Sequence, residues 1–166
     1  KDNATPDGSM YNPLQLDQDK VYVLGGWGVH AFDLQTGEKV WTYQHAPAGD
    51  PNRSFASGDF ALYEGKLVVK NRDGIMLSLD ASDGSEIWRI SESGSVMEGR
   101  FRIYKDKAFY TSGNDLMIVD LRVGKLLIKE DPPTGNWAEG TIAIDETEQL
   151  LYYNDRGTAY CAKIPE

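Results

Sequence analysis

Hydrophobic and polar positions alternate along this chain in short runs, each bounded by Gly, Asp or Asn. Four of these runs, at 20–24, 66–70, 107–111 and 150–154, closely resemble one another. Apolar residues at period two with turn residues at both ends are typical of β-strands. No segment has helical spacing, and tight turns join only antiparallel neighbours, so the pattern predicts an all-β fold of antiparallel meanders.

A longer repeat groups these runs into units. Gly follows Asp by four positions, and a large apolar residue follows it by eight. The Asp residues are Asp33, Asp80 and Asp120; the Gly residues are Gly37, Gly84 and Gly124; the apolar residues are Trp41, Trp88 and Ile128. A further apolar run precedes each copy, and a fourth begins near residue 140, so we expect four units of about 40–47 residues, each with four short strands.

A four-stranded meander repeated at this interval is the signature of a β-propeller blade. We therefore expect one partial propeller domain over 1–166, with blades at approximately 9–45, 55–92, 96–130 and 137–164. In each blade the Asp would close the third strand and bind turn amides, and the Gly would supply positive φ. The two Trp residues would fill the gaps between blades, with Ile128 as a smaller plug.

The residues at 31–41 and 78–88 share the pattern Ala/Ser-x-Asp-x-x-Thr/Asp-Gly-x-x-x-Trp. This pattern resembles the tryptophan-docking motif of quinoprotein-like propellers, which carry PQQ-like repeats. The resemblance implies an extracytoplasmic location, either periplasmic or as a surface lipoprotein, since the family includes an outer-membrane assembly scaffold. Its redox members hold a quinone and a calcium ion beside a catalytic Asp, often with a vicinal cysteine pair. This chain has one cysteine and no matching constellation, so we expect no cofactor, no metal and no catalytic residue.

The fourth unit ends after three strands, and the family usually has seven or eight blades. We therefore expect the chain to be the C-terminal half of a larger propeller, or to be completed by a second copy. A closed four-bladed ring is the alternative. The N-terminus lacks an initiator Met and a signal-peptide pattern, so it is expected to be a trimmed or mature end.

Composition narrows the range of partners. The 17 basic and 26 acidic residues give a net charge of −9, which repels nucleic acid and anionic membrane surfaces. No apolar run approaches the roughly 20 residues of a membrane-spanning helix, so direct membrane insertion is not expected. The expected partner is a protein or a small polar ligand.

Equivalent positions at the start of the first strand of each unit would face one shared opening. These positions are Tyr11, Ser57, Glu98 and Glu139, with Arg100 and Trp137 alongside. Together they would form a channel-mouth site for the partner or ligand. The alternative is that the two glutamates pair with arginines of neighbouring blades.

Other reactive residues are interpreted structurally. His30 and His45 lack the spacing of a catalytic triad or a metal site. Cys161 is predicted to be a small core residue. The segment 80–86 departs from the EF-hand spacing. The sequence thus favours a non-catalytic binding or scaffolding module, the alternatives being a fragment of a PQQ-dependent dehydrogenase and a carbohydrate or peptide sensor.

Overall fold

The computed structural model describes residues 14–45, 59–71, 74–91, 101–112, 114–135 and 142–165, in which every regular element is a β-strand. The first sheet contains β1 (Gln15–Leu16), β2 (Lys20–Leu24), β3 (Gly28–Asp33) and β4 (Lys39–Gln44). The second contains β5 (Asp59–Tyr63), β6 (Lys66–Lys70), β7 (Ile75–Asp80) and β8 (Glu86–Ser91).

The third sheet contains β9 (Arg102–Tyr104), β10 (Lys107–Ser112), β11 (Asp115–Asp120) and β12 (Lys125–Glu130). The fourth has three strands among the described residues, namely β13 (Ala143–Asp145), β14 (Leu150–Asn154) and β15 (Ala159–Lys163). All sheets are antiparallel meanders in which strands adjacent in sequence pair. The prediction of an all-β fold with about four propeller blades is confirmed. None of the described residues belongs to a helix long and apolar enough to cross a bilayer.

The chain divides into two compact units, Lys1–Glu92 and Ser93–Glu166, which contain two sheets each. In the first unit one apolar core runs through both sheets and includes Tyr22, Trp41, Phe60 and Leu77. In the second, Phe109, Ile118, Ile142 and Leu151 belong to one core shared by the third and fourth sheets. A single sheet cannot bury its apolar face by itself, so that face needs a neighbouring sheet as cover.

The turn after each third strand follows one hydrogen-bonding scheme. The amides of Gly37, Gly84 and Gly124 donate to the carbonyls of Asp33, Asp80 and Asp120 at 2.8–2.9 Å. All three glycines have positive φ, between 64° and 76°, a region that side chains disfavour. The four-residue spacing of Asp and Gly in the sequence is therefore the spacing of this turn.

A β-bulge recurs where each four-stranded sheet pairs its third and fourth strands. The register shifts between Ala31 and Phe32, between Ser78 and Leu79, and between Ile118 and Val119. The extra residues are Val40, Ile87 and Leu127, which are exposed. A bulge re-aims the side chain beside it, and the residue that follows each bulge is the one at the motif's plug position.

Candidate functional site

Trp41 is seated between the two sheets of the first unit and is 9% exposed. Its indole Nε1 donates a hydrogen bond to the carbonyl oxygen of Ala81 at 3.2 Å. The Tyr22 hydroxyl donates to the same oxygen at 3.2 Å, and the Tyr22 and Trp41 ring centroids lie 5.9 Å apart. One carbonyl in the second sheet's turn thus receives two aromatic donors from the first sheet.

Gly84 forms the floor of this seat. A Cβ at position 84 would lie 2.5 Å from Cε3 of Trp41, a separation that no real Cβ contact permits. Position 37 has the same turn conformation but open space around it. Glycine is therefore needed at position 84 for two reasons, the positive φ of the turn and the close approach of the indole. At position 37 only the turn requires it.

The plug position is matched in size to its neighbour on the third strand. Trp41 lies opposite Ala31 and Trp88 opposite Ser78, whereas Ile128 lies opposite Ile118. A large plug is thus paired with a small neighbour, and a smaller plug with a larger one, which conserves volume. Ile128 is half-buried and packs against the core shared by the third and fourth sheets. Trp88 is half-buried.

The exposed fourth strands of the first unit are joined by a polar cluster. The Tyr43 hydroxyl donates to Oε2 of Glu86 at 2.6 Å, and Nη2 of Arg89 donates to the Tyr43 hydroxyl at 2.5 Å. Arg89 also binds both carboxylate oxygens of Glu86. Partial burial, followed by the bond to Glu86, raises the pKa of Tyr43 to about 12. The bond from Arg89 is the main cause that lowers the pKa of Glu86.

The carboxylates of the motif form hydrogen bonds within their own turns. Oδ1 of Asp33 accepts the Thr36 and Gln35 amides at 2.7 and 3.0 Å, and these bonds, led by that of Thr36, lower its pKa. Asp120 accepts two bonds from the Arg122 guanidinium, which lowers its pKa to about 2. Asp83 is likewise held by the Ser85 amide. These hydrogen bonds stabilise the turns.

Asp155 is the centre of a polar cluster in the second unit. The Tyr160 hydroxyl donates to its Oδ2 at 2.6 Å, the Thr134 hydroxyl donates to the same oxygen, and the Gly157 and Thr158 amides donate to Oδ1. The hydrogen bonds of Thr134, then Tyr160, lower the Asp155 pKa. Thr134 lies 21 residues before Asp155 and no motif links the two, so the sequence did not predict this cluster.

The predicted channel-mouth residues all lie outside the described residues. This applies to Tyr11, Ser57, Glu98, Arg100, Trp137 and Glu139. The first strands that follow them, β5, β9 and β13, are described. The channel mouth therefore stays a prediction.

The prediction for Cys161 is wrong. This residue was expected in the core, but it is exposed, as is its cross-strand neighbour Tyr152 at 41%. Its strand β15 is the edge strand of the fourth sheet among the described residues. His30, by contrast, is buried at 3% with Nδ1 3.0 Å from the Thr42 hydroxyl, a structural contact.

Among the described residues, no group of three or more His, Cys, Asp or Glu side chains lies close enough together to hold a metal ion. Both Tyr22 and the seat at Gly84 occupy the surroundings of the Trp41 indole, so it offers no free face for stacking.

Comparison with known proteins separates two groups of relatives. The PQQ_2 family model, described as outer membrane protein assembly factor BamB, matches residues 3–163. The outer membrane protein assembly factor BamB of Xanthomonas campestris pv. campestris is 36% identical over 94 residues, which cover 54% of this chain and 23% of that protein. The quinohemoprotein alcohol dehydrogenase of Comamonas testosteroni is 34% identical over 99 residues, covering 52% of this chain and 14% of that protein.

The crystal structure of BamB from Moraxella catarrhalis superposes with a TM-score of 0.71 at 14% identity, covering 93% of this chain and 47% of that one. At this identity the likeness shows the fold alone. The match spans less than half the length of each of these three proteins. The quinoprotein-like repeat identified from the sequence is confirmed by the family model and by this likeness.

Proposed function

The chain belongs to the family described as outer membrane protein assembly factor BamB, and from this we propose that it is a non-catalytic binding module of an extracytoplasmic protein. Its partner is another protein or a small polar ligand. The relatives support this location, since one is named an outer membrane protein assembly factor.

The observation that carries this proposal is the extent of the family match. It runs from residue 3 to residue 163 and so passes through all four sheets. Two of the described carboxylates with lowered pKa values are held by structural hydrogen bonds, Asp120 by Arg122 in its turn and Asp155 by the Thr134 and Tyr160 hydroxyls. Perturbed pKa values at an active site would instead mark groups poised for proton transfer.

The partner site is proposed at the channel mouth. Tyr11, Ser57, Glu98 and Glu139 precede the first strands of successive units, and propellers place equivalent positions around one opening. Trp137 supplies a large amphipathic anchor of the kind that dominates binding energy at interfaces.

A photo-crosslinking aromatic amino acid in place of Trp137 tests this proposal in the full-length protein in its own cell. We expect an adduct with a specific protein or ligand, and loss of that adduct when Glu98→Ala and Glu139→Ala are combined without a change in melting temperature. The same crosslinker at Val123, which is 63% exposed in a turn, is the control. Equal adducts at both positions, or an adduct that survives the double substitution, would refute the site.

The second candidate is a fragment of a quinone-dependent dehydrogenase, which the 34% identity to the Comamonas testosteroni enzyme supports. Reconstitution of the full-length protein with pyrroloquinoline quinone and calcium, followed by dye reduction with an alcohol, distinguishes the two. We expect no quinone-dependent reduction. Dye reduction above the quinone-free background would refute the non-catalytic proposal and would show that the protein is an oxidoreductase.

A further inference from the structure

A cavity of about 480 Å³ lies in the second unit, between the third and fourth sheets. Its walls are the turn after β9, the turn after β13, and the chain beyond β15. The lining residues are Lys105, Lys107, Glu148, Gln149, Lys163, Ile164 and Pro165. Three lysines and one glutamate make it basic in a chain whose net charge is −9. None of these lysines forms an ion pair with a described carboxylate.

The cation at position 163 is absent from the other units, whereas Lys107 has counterparts in Lys20 and Lys66, each opposite a motif aspartate. In each sheet the residue after the third strand donates its amide to the turn between the first two strands. The pairs are Leu34 to Asp19, Ala81 to Gly65, Leu121 to Asp106, and Ile164 to Gln149. Ile164 therefore occupies the position of Leu34, Ala81 and Leu121. Its predecessor Lys163 occupies the position of the motif aspartates, so the fourth unit carries a cation where the others carry an anion.

Gln149 fixes the cavity's polar wall. Its side-chain Nε2 donates to the Tyr104 hydroxyl at 2.6 Å and also to the Glu146 carbonyl. Its Oε1 accepts a bond from Lys105 Nζ at 2.6 Å, and the same ammonium lies 5.3 Å from the Tyr104 ring centroid. The Lys105 charge is thus held in place by neutral partners and is not cancelled.

Backbone strain is concentrated around the same cavity. Four non-glycine residues of the described chain have positive φ, and three of them belong to these turns: Lys105 at 45°, Asp106 at 59° and Gln149 at 58°. The corresponding turn of the second sheet has Gly65 at its second position, where the third has Asp106. Strain of this kind persists where the surroundings enforce it, and it clusters at ligand sites.

From these observations we propose that this cavity binds an acidic peptide segment, with Lys105, Lys107 and Lys163 receiving its carboxylates and Ile164 and Pro165 contacting a neighbouring apolar side chain. A bare phosphate would leave Ile164 and Pro165 without a contact, whereas an acidic peptide presents carboxylates and apolar side chains together. This inference rests on the proposed binding function, and it assigns the chemistry of one partner segment to a place away from the predicted channel mouth.

The test is titration of the full chain with a blocked, fluorescently labelled hexapeptide of alternating glutamate and leucine, followed by anisotropy. We expect saturable binding that weakens as salt rises from ~20 to ~200 mM, because exposed charges are screened. Lys105→Gln combined with Lys163→Gln should raise the Kd about fivefold or more, since each exposed ion pair contributes up to about 1 kcal/mol. Lys163→Asp, which restores the motif residue, should weaken binding further by repulsion, and Lys163→Arg should retain it.

Lys39→Gln combined with Lys125→Gln removes the same charge from two exposed positions outside the cavity and is the matched control. Equal Kd values for the two double variants would overturn the proposal. A control hexapeptide with glutamine in place of each glutamate should bind more weakly, and equal binding of the two peptides would also overturn it. Lysine-dependent binding of inorganic pyrophosphate without binding of the acidic peptide would overturn the assignment to a peptide. Failure here leaves crosslinking at position 137 unaffected, so the two proposals fall separately.

Discussion

At the scale of the residue, the contact between one glycine and one tryptophan illustrates how neighbouring repeats pack against each other. Gly84 and Gly37 are equivalent in sequence and in backbone conformation, yet only Gly84 contacts a ring. The motif alone predicts positive φ for both. The difference arises because the sheet that precedes Gly84 in the chain supplies the Trp41 ring, and this is a tertiary contact.

Alanine substitution separates the two roles of glycine. Gly37→Ala is expected to cost about 1 kcal/mol of unfolding free energy, the cost of a left-handed conformation with a side chain. Gly84→Ala should cost about 1–3 kcal/mol more, because its Cβ overlaps the Trp41 indole. Urea denaturation of both variants measures the difference.

A double-mutant cycle tests the cause of that difference. In a Trp41→Ala background the overlap disappears, so Gly84→Ala should cost no more than Gly37→Ala does. An unchanged excess cost in that background would show that the indole is not what excludes the side chain.

At the scale of the element, the sequence predicted three of the four second strands end for end, and the other, β10, extends one residue past the run at 107–111. β2, β6 and β14 match the runs at 20–24, 66–70 and 150–154, since each run is flanked by turn residues. The first strands are shorter than their apolar runs. Phe101 and Ile142 are buried at 5% and 2% but precede the hydrogen-bonded ladder. The alternation of apolar residues in the sequence predicts which side chains are buried, and the buried stretch extends beyond the residues that form hydrogen bonds between strands.

Contacts between elements carried less signal in the sequence. The Tyr43, Glu86 and Arg89 cluster joins β4 to β8 and obeys no motif, so it was not predicted. Lys163 at the motif Asp position was visible in principle. Aligning the fourth copy on Cys161, Ala162 and Lys163 would have revealed the charge reversal, but the copy lacks Gly and Trp and so escaped the pattern.

Tyr43→Phe should change how stability depends on alkaline pH. The pKa of Tyr43 is raised to about 12 in the folded protein from 10.0, so its contribution is complete below pH 10.0 and is lost as pH rises toward 12. The variant lacks this loss, and should be about 1 kcal/mol less stable at neutral pH from the missing hydrogen bonds. Denaturation at stepped pH measures both effects. A wild-type minus variant difference that stays constant up to pH 12 would contradict the assignment.

At the scale of the whole molecule, each unit has a core shared by its own two sheets. The number of blades in the full protein and the closure of the ring stay predictions. So do the channel-mouth residues, whose positions lie in segments that precede the described strands. Repeats stabilise one another chiefly through nearest neighbours, so local damage should remain local.

Hydrogen exchange measured by mass spectrometry tests this locality. Trp41→Ala, at a cost of about 3–5 kcal/mol, should speed exchange in β2–β4 and β5–β8. Ile128→Ala, half-buried and expected at about 2 kcal/mol, should speed it in β10–β12 and β14–β15 instead. Uniform acceleration throughout the chain by either variant would mean that the chain unfolds as one cooperative block.

The seat of Trp41 has a consequence for how such proteins diversify. Its indole comes from one repeat, while the bare backbone that admits it, at Gly84, belongs to the next. A recombination event that exchanges one complete sheet therefore separates a plug residue from its receiving turn at both borders of that sheet. The heritable module therefore runs from the plug of one repeat to the receiving turn of the next, and grafts cut at those boundaries should succeed where grafts of intact meanders fail.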